Sequence, residues 1–147
     1  MTEDLQTDAR EWLGRVLEDF GCQTGTLHRS PDGEWLELVV AIGVPESLMP
    51  AISRIPFGKG IAGAAAATRE PVELCNLQQD LGGVAREGAR QTKVAGSLAV
   101  PVFSPDGGRV IGTLGIGMPE PHDFSEAEKA RLAKVAEEVA GVWAHDD

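Results

Sequence analysis

The sequence predicts an α+β fold: one antiparallel sheet with the first and last helices packed on the same face. Two observations predict it. Amphipathic helical stripes stand at both ends of the chain, and two apolar strand pairs are each joined by a Ser-Pro-Asp-Gly turn. The first stripe is Leu5, Ala9, Trp12, Leu13, Val16, Leu17 and Phe20, and Gly21 follows where a helix end favours a left-handed residue. The first strand pair is 22–29 and 35–42, joined by Ser30-Pro31-Asp32-Gly33. Strict alternation places Leu36, Leu38, Val40 and Ile42 on one face of its second strand. The other pair is 97–103 and 109–117, joined by Ser104-Pro105-Asp106-Gly107-Gly108. In both turns proline presets φ, aspartate bonds its own backbone and glycine supplies positive φ. The last helix begins at the capping box Ser125-Glu126-Ala127-Glu128 and carries the stripe Leu132, Ala136, Val139 and Trp143.

The middle of the chain supplies what remains. Alanine-rich 60–69 reads as a short helix that Pro71 ends, and 72–74 as a short strand. Polar 76–93, with Gly82, Gly83 and Gly88, reads as an excursion containing a short helix over 84–91. An excursion of this length in a small domain is characteristically functional or mobile. These segments must cover the sheet face that the terminal helices leave open, and a pocket belongs there.

Bulk properties narrow the function classes. The 147 residues fit one domain, 1–147, of ordinary globular composition. A formal charge of −10 with no basic stripe argues against nucleic-acid and membrane-surface partners. Two cysteines, Cys22 and Cys75, with no CxxC spacing, fit a reducing compartment. The polar, acidic N-terminus is unlike a signal peptide, and the longest apolar-looking run, 60–68, is too short to span a bilayer. The expected location is the cytoplasm.

Read in order, several segments resemble the GAF domain family, a PAS-related group. They are the first hairpin closing with Ala41-Ile42-Gly43, then Ile55-Pro56-Phe57-Gly58-Lys59-Gly60-Ile61-Ala62-Gly63 entering the alanine-rich helix, then Arg69-Glu70-Pro71-Val72. Ser97-Leu98-Ala99-Val100-Pro101-Val102 and Val110-Ile111-Gly112-Thr113-Leu114-Gly115-Ile116 complete the pattern, which spans roughly residues 5–144. The resemblance implies terminal helices on one face, often mediating dimers, and a ligand pocket on the other. Members bind cyclic nucleotides, bilins, haem or small metabolites, and one branch reduces free methionine sulfoxide.

The candidate chemistry divides as follows. Gly58-Lys59-Gly60-Ile61-Ala62-Gly63 matches GxGxxG, but hairpins flank it where a dinucleotide site needs a βαβ unit. Its glycines then shape a tight helix entry, and Gly60 and Ile61 could meet a ligand anion at the helix start. The reductase branch carries cysteines where this chain has Ala62 and Arg90, so Cys22 and Cys75 read as structural and no catalytic residue is assigned. His28, His122 and His145 lack metal-ligand spacing, and an axial haem role for His28 is disfavoured. The signatures of the cyclic-nucleotide and bilin branches are absent, which leaves the cofactor unknown. Arg86, Arg90 and Lys93 form a basic cluster in an acidic chain; Arg86 and Arg90 share a helix face and suit a carboxylate or phosphate, against the alternative of a solvated surface. Ser97 and Thr113 offer polar contacts, and Gly112, Gly115 and Gly117 leave room for a guest. Trp12 and Trp143 belong either to the core or to a homodimer helix bundle.

The expected function is a small-molecule sensor without catalytic activity, its ligand anionic in character, signalling through the terminal helices to an effector protein in trans or across a homodimer. The alternatives are a methionine sulfoxide reductase-like enzyme and a ligand-free dimerisation scaffold.

Overall fold

The computed structural model describes residues 2–74 and 95–146, with side chains described over 9–74 and 95–143. Helix α1 (Thr2–Phe20) buries Leu13, Val16 and Leu17. It stops at Gly21, whose φ of 66° lets the Cys22 N–H donate back to the Leu17 carbonyl at 2.9 Å. Strands β1 (Thr24–Arg29) and β2 (Trp35–Ile42) follow as an antiparallel pair. In their turn Asp32 Oδ1 accepts the N–H groups of Glu34 and Trp35, each at 2.9 Å, and Ser30 Oγ accepts that of Gly33 at 3.0 Å. The turn between β5 (Gly96–Phe103) and β6 (Val110–Met118) uses the same chemistry. Asp106 Oδ1 accepts the Gly108 N–H at 2.8 Å, and Ser104 Oγ accepts that of Arg109 at 3.2 Å.

Between the hairpins lie a 3-10 turn (Glu46–Leu48), helix α2 (Met49–Ile52), strand β3 (Arg54–Pro56), helix α3 (Gly60–Thr68) and strand β4 (Val72–Leu74). The 3-10 turn, α2 and β3 are too short to show a hydrophobic period, which is why the sequence does not announce them. Helix α3 ends before Pro71, at Arg69, a non-glycine residue at φ 62°. That conformation is held by long-range bonds. The Arg69 guanidinium donates to the carbonyls of Gly107 at 3.0 Å and Gly108 at 3.3 Å and lies 5.2 Å from the Phe103 ring centroid. It ties the end of α3 to the β5–β6 turn.

Among the described residues six strands form one antiparallel sheet in the order β3-β2-β1-β6-β5-β4. Helices α1 and α4 (Glu126–Asp146) cover one face, as expected. Their core joins Leu13, Val16 and Leu17 to Leu132, Ala136, Val139 and Trp143 over Leu27, Leu98, Val100, Leu114 and Ile116 of the sheet. A second, smaller cluster sits on the other face, where Leu36, Ala66 and Val110 pack with Ile55, Phe57, Ala62 and Phe103.

The two clusters correct the expected facing of β2. Leu27 pairs with Val40 but His28 pairs with Leu38, so Val39 stands unopposed in a β-bulge. Val40 and Ile42 therefore face the terminal helices, whereas Leu36 faces α3. A second bulge, at Ile111, lets Val102 pair with Gly112 and Phe103 with Val110, and it brings Val110 onto the α3 face.

Helix α4 starts with the predicted capping box. The Ser125 N–H donates to Glu128 Oε1 at 2.9 Å, and the Glu128 N–H donates to Ser125 Oγ at 3.1 Å. The backbone bond from Ser125, and then the His122 ring 3.1 Å away, hold the Glu128 carboxyl below its ordinary value. A depressed carboxyl contributes stability above its unfolded pKa of ~4.3, and the contribution is lost as pH falls through the lower folded value. Glu128→Gln keeps a capping side chain but no charge. Wild type is expected to exceed it in urea midpoint at pH 7, with the gap closing as the pH falls below about 4; a gap constant with pH contradicts this.

Candidate ligand-binding face

On the face opposite α1 and α4, cross-strand partners line up in rows. One row is Leu38, His28, Thr113 and Pro101, and the next is Ala41, Thr26, Gly115, Ala99 and Val72. A third is Thr24, Gly117, Ser97 and Leu74. The second and third rows carry mostly small side chains, so the middle of the sheet forms a shallow trough. Thr26, Gly115 and Ser97 are only partly buried although they lie on β1, β6 and β5, inside the sheet rather than at its edges, whereas Ala99 and Gly117 beside them are buried. Helix α3 packs on this face against β3, β4, β5 and β6, with Ala62 and Ala66 beside Val110 and Phe103.

The first row closes the trough with two buried polar groups. His28 and Thr113 are each 1% exposed. The His28 Nε2 lies 2.8 Å from the Ile52 carbonyl. A carbonyl only accepts, so Nε2 carries the proton. Burial pushes the imidazole pKa down, against the opposing effect of the Ile52 bond, and the ring is neutral with Nδ1 as a bare acceptor. Among the described residues neither His28 Nδ1 nor Thr113 Oγ1 has a hydrogen-bond partner. A buried polar group left unsatisfied costs about 1–3 kcal/mol. The two stand opposite one another on the face that also holds the trough.

The sequence-derived candidates fall unevenly on this geometry. Ser97 and Thr113 share the trough face, with Gly115 on the row between them and Gly117 opposite Ser97. Gly112 does not belong there: it faces α4, where its bare backbone admits the Trp143 ring. Gly60 and Ile61 begin α3, and their glycine-rich approach is a turn. Gly58 and Gly60 take φ of 93° and 69°, the Gly58 N–H donates to the Gly63 carbonyl at 2.7 Å, and a Cβ on Gly63 would stand 2.7 Å from the Pro56 carbonyl oxygen. The glycines shape the helix entry. Arg86, Arg90 and Lys93, the short helix over 84–91 and Cys75 lie outside the described residues. His28 and Thr26 are additions; an unopposed residue in β2 governs which neighbours His28 meets, and no sequence motif displays it.

Cys22 lies on the helix side of the sheet, in the main core. Burial, and then Glu128, pushes its thiol up to about 11, so it is a poor nucleophile at neutral pH. Among the described residues no three His, Cys, Asp or Glu side chains converge as a metal site, and no helix is long and apolar enough to cross a membrane.

Strand β4 borders the trough through Val72 and Leu74, and its intervening residue Glu73 reaches the other face. Glu73 Oε2 accepts the Phe124 N–H at 3.1 Å, and its other oxygen pairs with Lys129 Nζ. The edge of the trough is thus bonded to the first turn of α4.

The GAF domain family model matches residues 2–143, and the chain belongs to that family. Over 89 residues it is 29% identical to Protein YtsP of Bacillus subtilis, a match covering 60% of this chain and 51% of that protein, so the shared region spans about half the relative's length. Among solved structures, the GAF domain of a phosphoenolpyruvate-protein phosphotransferase from Coxiella burnetii superposes with a TM-score of 0.74 at 24% identity, covering 89% of this chain and 77% of that one. A type II free methionine-R-sulfoxide reductase from Thermoplasma acidophilum gives 0.75 at 18% identity, covering 95% and 92%. The free methionine-R-sulfoxide reductase of Neisseria meningitidis, solved with its substrate, gives 0.68 at 24% identity, covering 95% and 82%. These likenesses establish a shared fold.

Proposed function

We propose that this chain is a sensory module that binds a small molecule on the sheet face opposite its terminal helices, and that it has no catalytic role of its own. One observation carries the reading: Thr26, Gly115 and Ser97 are only partly buried in the middle of a six-stranded sheet whose reverse face is fully packed. A fold-mate solved with its substrate supports a small-molecule role for such a scaffold. The inert Cys22 thiol argues against the reductase alternative for the described part of the chain. Binding would reach the terminal helices through the Glu73 contacts to α4 and pass to a partner protein or across a homodimer. Val142, 54% exposed on the outer side of α4, supports a contact surface there.

The test is a thermal-shift screen of the full chain against a broad metabolite panel, repeated with Gly115→Val. A Cβ at Gly115 meets only Thr26 Oγ1 at 3.1 Å and the Leu98 carbonyl at 3.8 Å, so valine should fit the strand while filling the trough. At least one compound is expected to raise the wild-type melting temperature by several degrees and the variant's hardly at all; at 100 times its Kd a ligand adds about 2.7 kcal/mol. A panel without hits, or hits indifferent to Gly115→Val, refutes the reading.

A further inference from the structure

We infer that the closed end of the trough is a recognition site for a neutral guest of the amide class, one presenting an N–H donor beside a carbonyl acceptor, with His28 and Thr113 as the recognition pair. This rests on the reading of the face as a ligand site and specifies what the site selects.

The Ile52 carbonyl fixes the His28 tautomer by accepting from Nε2, which leaves Nδ1 able only to accept. Its ligand partner must therefore donate. A carboxylate or phosphate brings lone pairs to a lone pair and is repelled, whereas an amide N–H is matched. On the neighbouring strand, Thr113 Oγ1 has no partner among the described residues and carries a hydroxyl proton free to rotate toward a carbonyl oxygen. Cross-strand neighbours stand about 5 Å apart, a spacing that one planar amide edge with flanking atoms can bridge. The remaining described polar groups of the trough, Thr24, Thr26 and Ser97, are hydroxyls. None of the rows places a cation on this floor. The selectivity expected here is thus the opposite of the anion preference that Arg86, Arg90 and Lys93 suggest from sequence.

Burial adds a conformational element. The pair is buried, and His28 is bonded to α2 through Ile52. A guest reaching Nδ1 engages a ring whose other nitrogen already holds that cover, so occupancy on one side of the imidazole bears on α2 on the other.

The test titrates matched neutral and anionic probes, benzamide with benzoate and nicotinamide with nicotinate, into the 15N-labelled full chain. The His28 ring nitrogens are read by long-range 1H–15N correlation. The free protein is expected to show the Nε2-protonated tautomer, and the amides alone are expected to move Nδ1. Thr113→Val removes an unsatisfied buried hydroxyl, so it should leave the free protein as stable or more stable while weakening amide binding on the order of tenfold. A residue with a purely structural role would not move stability and affinity in opposite directions. Carboxylates that shift Nδ1 as much as the amides do, or amide affinity unchanged in Thr113→Val, overturn the inference. Should that variant not fold, the ring signals of the wild type decide alone. A metabolite-panel hit that leaves Nδ1 unmoved defeats this inference and spares the sensory reading; no binding by any probe or metabolite defeats both.

Discussion

Trp143→Ala is expected to lower the stability of this domain by about 3–5 kcal/mol, the range for truncating a buried tryptophan. The side chain is 3% exposed, sits in the main core with Leu132, Ala136 and Val139, and carries the Arg29 guanidinium 5.1 Å from its ring centroid. Its ring also occupies the space that Gly112 leaves by having no Cβ. Truncation removes the packed ring and opens a cavity that β6, held by neighbours on both sides, cannot collapse to fill. Urea denaturation measures the effect: the midpoint should fall with the m-value unchanged, and the melting temperature should drop by roughly 10 °C. A loss below about 1 kcal/mol would contradict the core assignment and return Trp143 to the surface role that the sequence left open.

Gly112→Ala is expected to be comparably severe, at about 3 kcal/mol, the upper end of what overpacking costs. The added methyl would stand 2.3 Å from the His28 carbonyl oxygen and 2.9 Å from two ring atoms of Trp143. A flexible side-chain end could give way, but the His28 carbonyl belongs to a strand paired on both edges. Gly14→Ala is the control. No atom lies within 4 Å of its added methyl, and it sits inside α1, so alanine should stabilise by about 0.5–1 kcal/mol. In the Trp143→Ala background the cost of Gly112→Ala should shrink without vanishing, because the ring clash disappears and the carbonyl clash persists. Additive effects would mean that the two residues do not touch.

Most of the architecture was legible in the sequence because its signals are local. The α1 stripe, both Ser-Pro-Asp-Gly turns and the Ser125–Glu128 capping box each declare themselves within a few residues, and each forms as expected. Strand β3 was not legible, since three residues with a proline show no period. Nor was the change of face in β2: the run Leu38-Val39-Val40-Ala41-Ile42 is apolar throughout, so composition hides which residue the partner strand skips. The site follows the same division. Ser97, Thr113 and Gly115 could be placed by alternation along regular stretches of β5 and β6. The same alternation sets Gly112 on the opposite face, an odd number of residues from Thr113 and Gly115, whereas the importance of His28 depends on the Ile52 carbonyl 24 residues away in sequence.

The unopposed residues Val39 and Ile111 have a consequence for how this chain tolerates change in length. Each acts as a half-period phase slip, after which inward and outward positions exchange roles. Removing Val39 would leave Val40 opposite Leu27 and Leu38 opposite His28, so the pair would run in unbroken alternation with Leu36 still against Ala66 and Val110. The spare residue lets β2 lose one position while its side chains keep their layers.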